Sequence, residues 1–196
     1  MTMIRNLYLK FRQWQVTRRL LKFEPQMIYH YKHLGAVIPN TRISNSTVIN
    51  AKETLVLADH VFIGHHNFIE ASNGIEIEEG VQITNFISIL SHSSHVSIRL
   101  YGNAYQQYTN LKGYKKGKVV IGKYSFIGPH STILPGTKIG KGCLISAYSM
   151  LKGDYADFSI IAGNPAVVIG DTRNMDSSYL EENPELLKHY QSWAAQ

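Results

Sequence analysis

A single cysteine, Cys143, stands in 196 residues, so no intrachain disulfide can form and a reducing compartment is expected. No run approaches the ~18–20 consecutive apolar residues that a spanning helix requires. The N-terminus lacks a compact apolar core followed by a small-residue cleavage site, so no signal peptide is expected. No acidic residue precedes Glu24, whereas Arg5, Lys10, Arg12, Arg18, Arg19 and Lys22 all do. Those six account for the whole net charge of +6, because the other 14 basic residues balance the 14 acidic ones. The basic character therefore belongs to one segment. Without a nucleic-acid motif it points to no nucleic-acid partner, and the cytoplasm is the expected location.

What the sequence does have is a repeat. From Ile121 it divides into sixes, "IGKYSF", "IGPHST", "ILPGTK", "IGKGCL", "ISAYSM" and "LKGDYA", each opening on Ile or Leu. Ser125, Ser131, Thr137, Cys143 and Ser149 fill the fifth place with small side chains, until Tyr155 takes it. Upstream the openers Val37, Leu57 and Ile77 recur every twenty residues, as three sixes plus two. A period of six fits neither a helix nor a half-buried strand. It fits a chain wound round a triangular prism, with one six per side and the aliphatics stacked inward. The expected fold is all-β: a left-handed parallel β-helix of about five coils. Three coils are expected over 37–94 and two over 121–156. Between them "ILSHSSHVSIRLYGNAYQQYTNLKGYKKGK" breaks the pattern, with an excursion over 95–119. Loops longer than about 15 residues inside a compact domain are usually functional.

The run "VVIGKYSFIGPHSTILPGTKIGKGCLISAYS…SIIAGNPAVVIG" resembles the closing half of the hexapeptide acyltransferases, in particular the galactoside, maltose and xenobiotic acetyltransferase group. The similarity covers roughly residues 37–170, and "AGNPA" (162–166) is its most specific motif. The resemblance implies a homotrimer, acetyl-coenzyme A as donor, no metal, and active sites in clefts between subunits. It implies a general-base histidine just before the long loop, which removes the acceptor's proton as that atom attacks the thioester. Imidazole suits the task because its pKa lies near neutrality. Two histidines qualify: His95 is placed first, with His92 as orienter or substitute base. For the acceptor sugar it implies His65 and His66, with Asn85 in the place of His65 one coil up. For the donor it implies Pro129 and Ala147 along pantetheine, Phe126 where Trp is common, and Lys152, Gly153 and Asn164 in the motifs near the phosphates. The sequence departs there, with Val167 where a cation belongs and Lys152 one place away from the usual position. No role falls to His130.

The first segment, 1–36, is expected to hold a basic amphipathic helix and a linker, with Ile4, Leu7, Tyr8, Phe11 and Trp14 at helical spacing. Two readings of it stand: a cap on the open first coil, or peripheral contact with an anionic membrane at its inner face. The repeat domain runs over 37–170. The tail, 171–196, is expected to close with a short helix that Asn183 caps and Pro184 opens. A homotrimer is expected because the loop tyrosines (Tyr101, Tyr105, Tyr108 and Tyr114) would lack partners on an isolated prism. The expected function is O-acetylation of a sugar hydroxyl, on a surface polysaccharide or its precursor. The alternatives are N-acetylation of an amino-sugar nucleotide, a γ-type carbonic anhydrase with zinc between His60-x4-His65 and the 92/95 pair, and a non-catalytic scaffold.

Overall fold

The computed structural model describes residues 2–21 and 24–195, and the side chains of 5–20 and 24–195. The sixes form a three-sided prism of parallel strands. The first face stacks Arg42–Ser44, Phe62–Ile63, Gln82–Ile83, Phe126–Ile127, Leu144–Ile145 and Ser159–Gly163. The second stacks Val48–Asn50, Phe68–Glu70, Ser88–Leu90, Thr132–Ile133 and Met150–Leu151. The third stacks Leu55–Leu57, Ile75–Ile77, Val119–Ile121, Lys138–Ile139 and Asp154–Tyr155. From Ile63 to Leu151 the opener of each six points inward. Ile63, Ile83, Ile127, Ile145 and Ile161 form one fully buried column, and Ile69, Ile89, Ile133 and Leu151 form a second. The two extra residues per turn widen the third face, where Leu55, Ile75 and Val119 add a further buried column.

Small hydroxylated residues hold the fifth place because they turn the corner beneath a carbonyl. Ser125 Oγ donates to Gly140 O at 2.9 Å, and Ser131 Oγ to Ser146 O at 3.1 Å. Cys143 occupies the same place, and burial pushes its thiol up to about 11, so it packs and does not ionise near neutrality.

Four expectations need correction. Val37 does not open a coil; it is 51% exposed, in a hairpin of Tyr31–His33 with Ala36–Ile38. The winding starts at Arg42, and the third coil closes only after the excursion, with Val119–Ile121. Residues before 37 are not merely linker: Met27–Ile28 pairs antiparallel with Ile43 and Ser44 and covers the first rung's open edge. Every described side chain of the N-terminal helix, α1 (Thr2–Leu21), is exposed, so among the described residues it covers no rung. Ile4 falls outside the described side chains, and Lys22 outside the described residues.

The tail carries two helices, α3 (Thr172–Glu182) and α4 (Leu187–Ala194), rather than one. Asp171 caps α3 by accepting the Arg173 N–H at 2.8 Å. Asn183 does not cap the following turn; its Nδ2 donates back to Tyr179 O at 2.9 Å, closing α3. Pro184 does begin the next turn, as expected. Trp193 of α4 then packs against Tyr124 and Phe158, covering the end of the prism.

Candidate active site

The three faces meet at three edges. The candidate base histidines gather at the edge between the second and third faces, where the excursion leaves the prism. Glu70 ends a second-face strand and is 8% exposed. One full turn later in the winding, His92 presents Nδ1 to Glu70 Oε2 at 2.6 Å. Ser91 Oγ donates to the same carboxylate oxygen at 2.9 Å, and the Ser72 backbone N–H donates to Oε1 at 3.1 Å. Burial alone would raise the Glu70 carboxyl, but the hydrogen bonds from Ser72 and Ser91 and the charge of His92 outweigh it and hold it below the usual glutamate range. Folding therefore gains from this carboxylate above the ordinary glutamate range, and that gain is lost as pH falls through the lowered native value.

An ionised Glu70 accepts the Nδ1 proton, so Nε2 is the ring nitrogen left to take a proton from an acceptor. The Ser72 hydroxyl lies 3.1 Å from the same Nδ1. The Tyr114 ring stacks on the imidazole at 5.4 Å between centroids and 11° between planes, fixing the ring's orientation from its face. His95 stands differently. It is exposed, its Nδ1 meets Ser93 Oγ at 2.8 Å, and no carboxylate among the described residues bonds to it.

The excursion is ordered. It forms a short helix, α2 (Ser97–Tyr101), then a 3-10 stretch over Gly102–Gln107, and returns as Lys115–Lys116. That strand pairs antiparallel with His92–Ser93, setting Lys116 opposite His92. Three of the four loop tyrosines find ring partners within the chain: Tyr114 on His92, and Tyr101 against Tyr108 at 5.0 Å. Tyr114, Tyr101 and Tyr108 therefore need no neighbouring subunit as a partner. Between loop and prism lies a cavity of about 570 Å³, walled by Ser72, Asn73, Tyr105, Lys112, Tyr114 and Lys116 among others.

The residues expected to bind acceptor and donor divide between edges. His65 and Asn85 lie at the edge between the first and second faces and bond within the chain. Asn85 Oδ1 accepts the His65 N–H at 2.6 Å, and His65 Nδ1 meets Ser44 Oγ at 2.7 Å. His66 heads a column of rings along that edge, His66–Phe86–His130–Tyr148, with centroids 5.1, 4.9 and 4.8 Å apart. Each sits at φ between 58° and 60°. The spacing is that of the rungs, about 4.8 Å, so the repeat itself stacks them. Pro129, Ala147 and Asn164 occupy the same edge, and Phe126 lies just before it on the first face. A Cβ on Gly128 would sit 2.6 Å from both Ala147 N and Ile145 O, so only glycine allows the rungs to close there. Lys152 and Gly153 lie at the second edge, on the side of His92. His60 and His65 stand at different edges of this chain, their rings turned to Asn40 and Ser44.

Glu70 and Lys116 do not stand out in the sequence, and Tyr114 does so only as one of the loop tyrosines. Glu70 was the most legible of these, since adding the period of twenty to it reaches Leu90, two residues before His92.

Comparison with known proteins agrees with this architecture. Residues 118–153 match the family described as bacterial transferase hexapeptide (six repeats). YvoF of Bacillus subtilis (strain 168), named as an acetyltransferase, is 45% identical over 56 residues, 29% of this chain and 33% of that protein. WbbJ of Escherichia coli (strain K12), named as a lipopolysaccharide biosynthesis O-acetyl transferase, is 37% identical over 60 residues, 31% of each chain. The match thus spans about a third of the length of these curated relatives. Among solved structures, AntD from Bacillus cereus, an N-acyltransferase in complex with dTDP and 3-hydroxybutyryl-CoA, superposes with TM-score 0.57 at 23% identity, covering 76% of this chain and 88% of that one. A match to this repeat family and a shared fold with AntD imply the left-handed sense of winding. By its repeat and its fold, the chain is similar to the hexapeptide-repeat transferases over residues 118–153 and shares its fold with AntD.

Proposed function

We propose that the protein is an acetyl-CoA-dependent O-acetyltransferase that acts on a sugar hydroxyl of a surface polysaccharide or its precursor. The observation that carries this reading is the Glu70–His92 contact beside an open cavity. His92, not His95, is the base in this reading, because only His92 has a buried carboxylate to orient it. His92 Nε2 takes the hydroxyl proton as the sugar oxygen attacks the thioester carbonyl. The tetrahedral intermediate collapses, the carbon–sulfur bond breaks, and the imidazolium returns the proton to the departing thiolate. Glu70 stabilises the imidazolium between those steps, and no protein nucleophile is required.

The donor side rests on Pro129, Ala147 and Asn164 at one edge, and on Lys152 and Gly153 at the other. The second face separates these edges within one prism. A neighbouring copy that brings its own edge alongside would complete the cleft, which supports a homotrimer. The test is acetyl transfer from acetyl-CoA to a panel of hydroxyl and amino sugars, with sedimentation of the same sample. Sugar-dependent thiol release by a three-chain species is expected. Release no faster than donor hydrolysis for every sugar would overturn the reading. Preference for the amino sugars would favour N-acylation, the activity in AntD's description, for which the same base would serve.

Helix α1 belongs to this reading as a membrane contact. Leu7, Phe11 and Trp14 form an exposed apolar stripe, and the Arg18 guanidinium lies 5.2 Å from the Trp14 ring. Arg5, Arg12 and Arg19 repeat every seven residues beside it, with no acidic residue on the helix. Among the described residues no helix is long and apolar enough to cross a membrane, so the contact would lie in the interfacial plane. The protein should co-sediment with vesicles containing phosphatidylglycerol and not with purely zwitterionic ones. Reversing the charge of Arg5, Arg12 and Arg19 to glutamate should abolish this. Equal retention on both vesicle types would rule out charge-directed docking.

A further inference from the structure

We infer that the cavity beside His92 takes an anionic saccharide, one bearing a carboxylate or phosphate, and that Lys116 and Lys112 recognise the negative group; this rests on the acetyltransferase reading and names its acceptor class. Lys116 stands directly opposite His92 in the antiparallel ribbon. Directly opposed residues project from the same face of such a pair, with Cβ atoms about 4.5–5.5 Å apart. Lys116 lines the cavity together with Ser72 and Tyr114, which both touch the imidazole that would deprotonate the acceptor. Tyr114, two residues before Lys116, lies on the same side and stacks on that imidazole.

The charge around the cavity has one sign. Lys112 and Lys116 both line it, and no aspartate or glutamate does. The carboxylate behind His92, Glu70, is buried and engaged by His92, Ser91 and Ser72. The neighbouring Lys118 is neutralised by Glu76 at 2.5 Å. Lys112 and Lys116 form no ion pair among the described residues. The loop secures them through its main chain. The Lys112 N–H donates to Tyr101 Oη at 2.9 Å, and its carbonyl accepts from Ser97 Oγ at 2.9 Å. Two cations without counterions, on an ordered loop and beside the candidate base, form a site for an anion. Of the other residues lining the cavity, Ser72, Asn73, Thr109 and Asn110 offer hydroxyl and amide groups suited to sugar hydroxyls.

The experiment compares a hexose glycoside with the matching uronate as acceptors, for the wild type and for Lys116→Met combined with Lys112→Met. The wild type is expected to favour the uronate in kcat/KM. The double variant should reduce that preference about tenfold, acting mainly on the uronate's KM, and rising salt should erode it in the wild type. Equal use of the two acceptors by the wild type would overturn the inference. So would a double variant whose uronate preference is intact, or one in which only the KM for acetyl-CoA rises, since the lysines would then serve the donor's phosphates. If neither sugar is acetylated, the acetyltransferase reading fails separately. Titration of the uronate onto wild type and double variant still decides whether the lysines hold an anion: weakened binding in the variant supports it, and no uronate binding by the wild type refutes it.

Discussion

Replacement of His92 by alanine is expected to lower turnover by ~10²–10⁴, the usual contribution of a positioned general base. The effect should fall on kcat, with the KM for acetyl-CoA nearly unchanged, because proton removal matters in the transition state and not in donor binding. Glu70→Gln should depress kcat in the same direction while preserving side-chain volume. The glutamine amide can turn its NH₂ toward Nδ1, and the neutral side chain no longer stabilises the imidazolium. His95→Ala should have a small effect, since His95 is exposed and bonds only to Ser93 through its ring. The comparison is steady-state kinetics of the three variants. A large loss in His95→Ala with full activity in His92→Ala would transfer the base to His95, and the orientation argument from Glu70 would fail. The pH profile offers a second check. Because Glu70 is held below the ordinary glutamate range, its own protonation should limit activity only in acid below that range.

The second large effect is on stability. Ile127 is fully buried between Ile83 on one rung and Ile145 on the next. Ile127→Ala should cost about 2–5 kcal/mol, the transfer energy of the lost methyl groups plus the cavity left behind. The rungs cannot close over that cavity, because hydrogen bonds on both sides hold their spacing: Phe126 N–H to Cys143 O at 2.8 Å, and Gln82 N–H to Ser125 O at 2.9 Å. The same deletion at Val37 should change stability little, since Val37 lies half exposed in the leading hairpin. Denaturant unfolding of the two variants provides the measurement. Similar midpoints for both would mean that the column is not the source of stability.

The excursion shows where sequence reasoning stops. Its length and polarity marked it, and the histidines at its root were visible as candidates. Its return strand was not, because Lys115–Lys116 carries no apolar alternation; its position depends on pairing with His92–Ser93 across a loop. The N-terminal segment divides in the same way. The spacing of Leu7, Phe11 and Trp14 was sufficient for a helix, but whether that helix capped the prism depended on what already covered the first rung. Met27–Ile28 and the hairpin after it occupy that position.

By itself the sequence determined the period, and with it the prism. An inward aliphatic every sixth residue can be buried only by stacking on its counterpart one turn away, so Ile63, Ile83, Ile127 and Ile145 had one place to go. It also determined that the break would fall at the histidines. Which histidine holds the orienting carboxylate was decided by tertiary structure alone. Glu70 lies 22 residues from His92 in the chain, and the two meet because a full turn of the winding brings them side by side at 2.6 Å. His95 is three residues further on, yet it has already left the prism with the loop, beyond the reach of that carboxylate. Periodicity is a local property that a one-dimensional pattern can display. The partner of a catalytic side chain depends on how successive turns are superposed and on where the loop returns, and only the folded chain sets these.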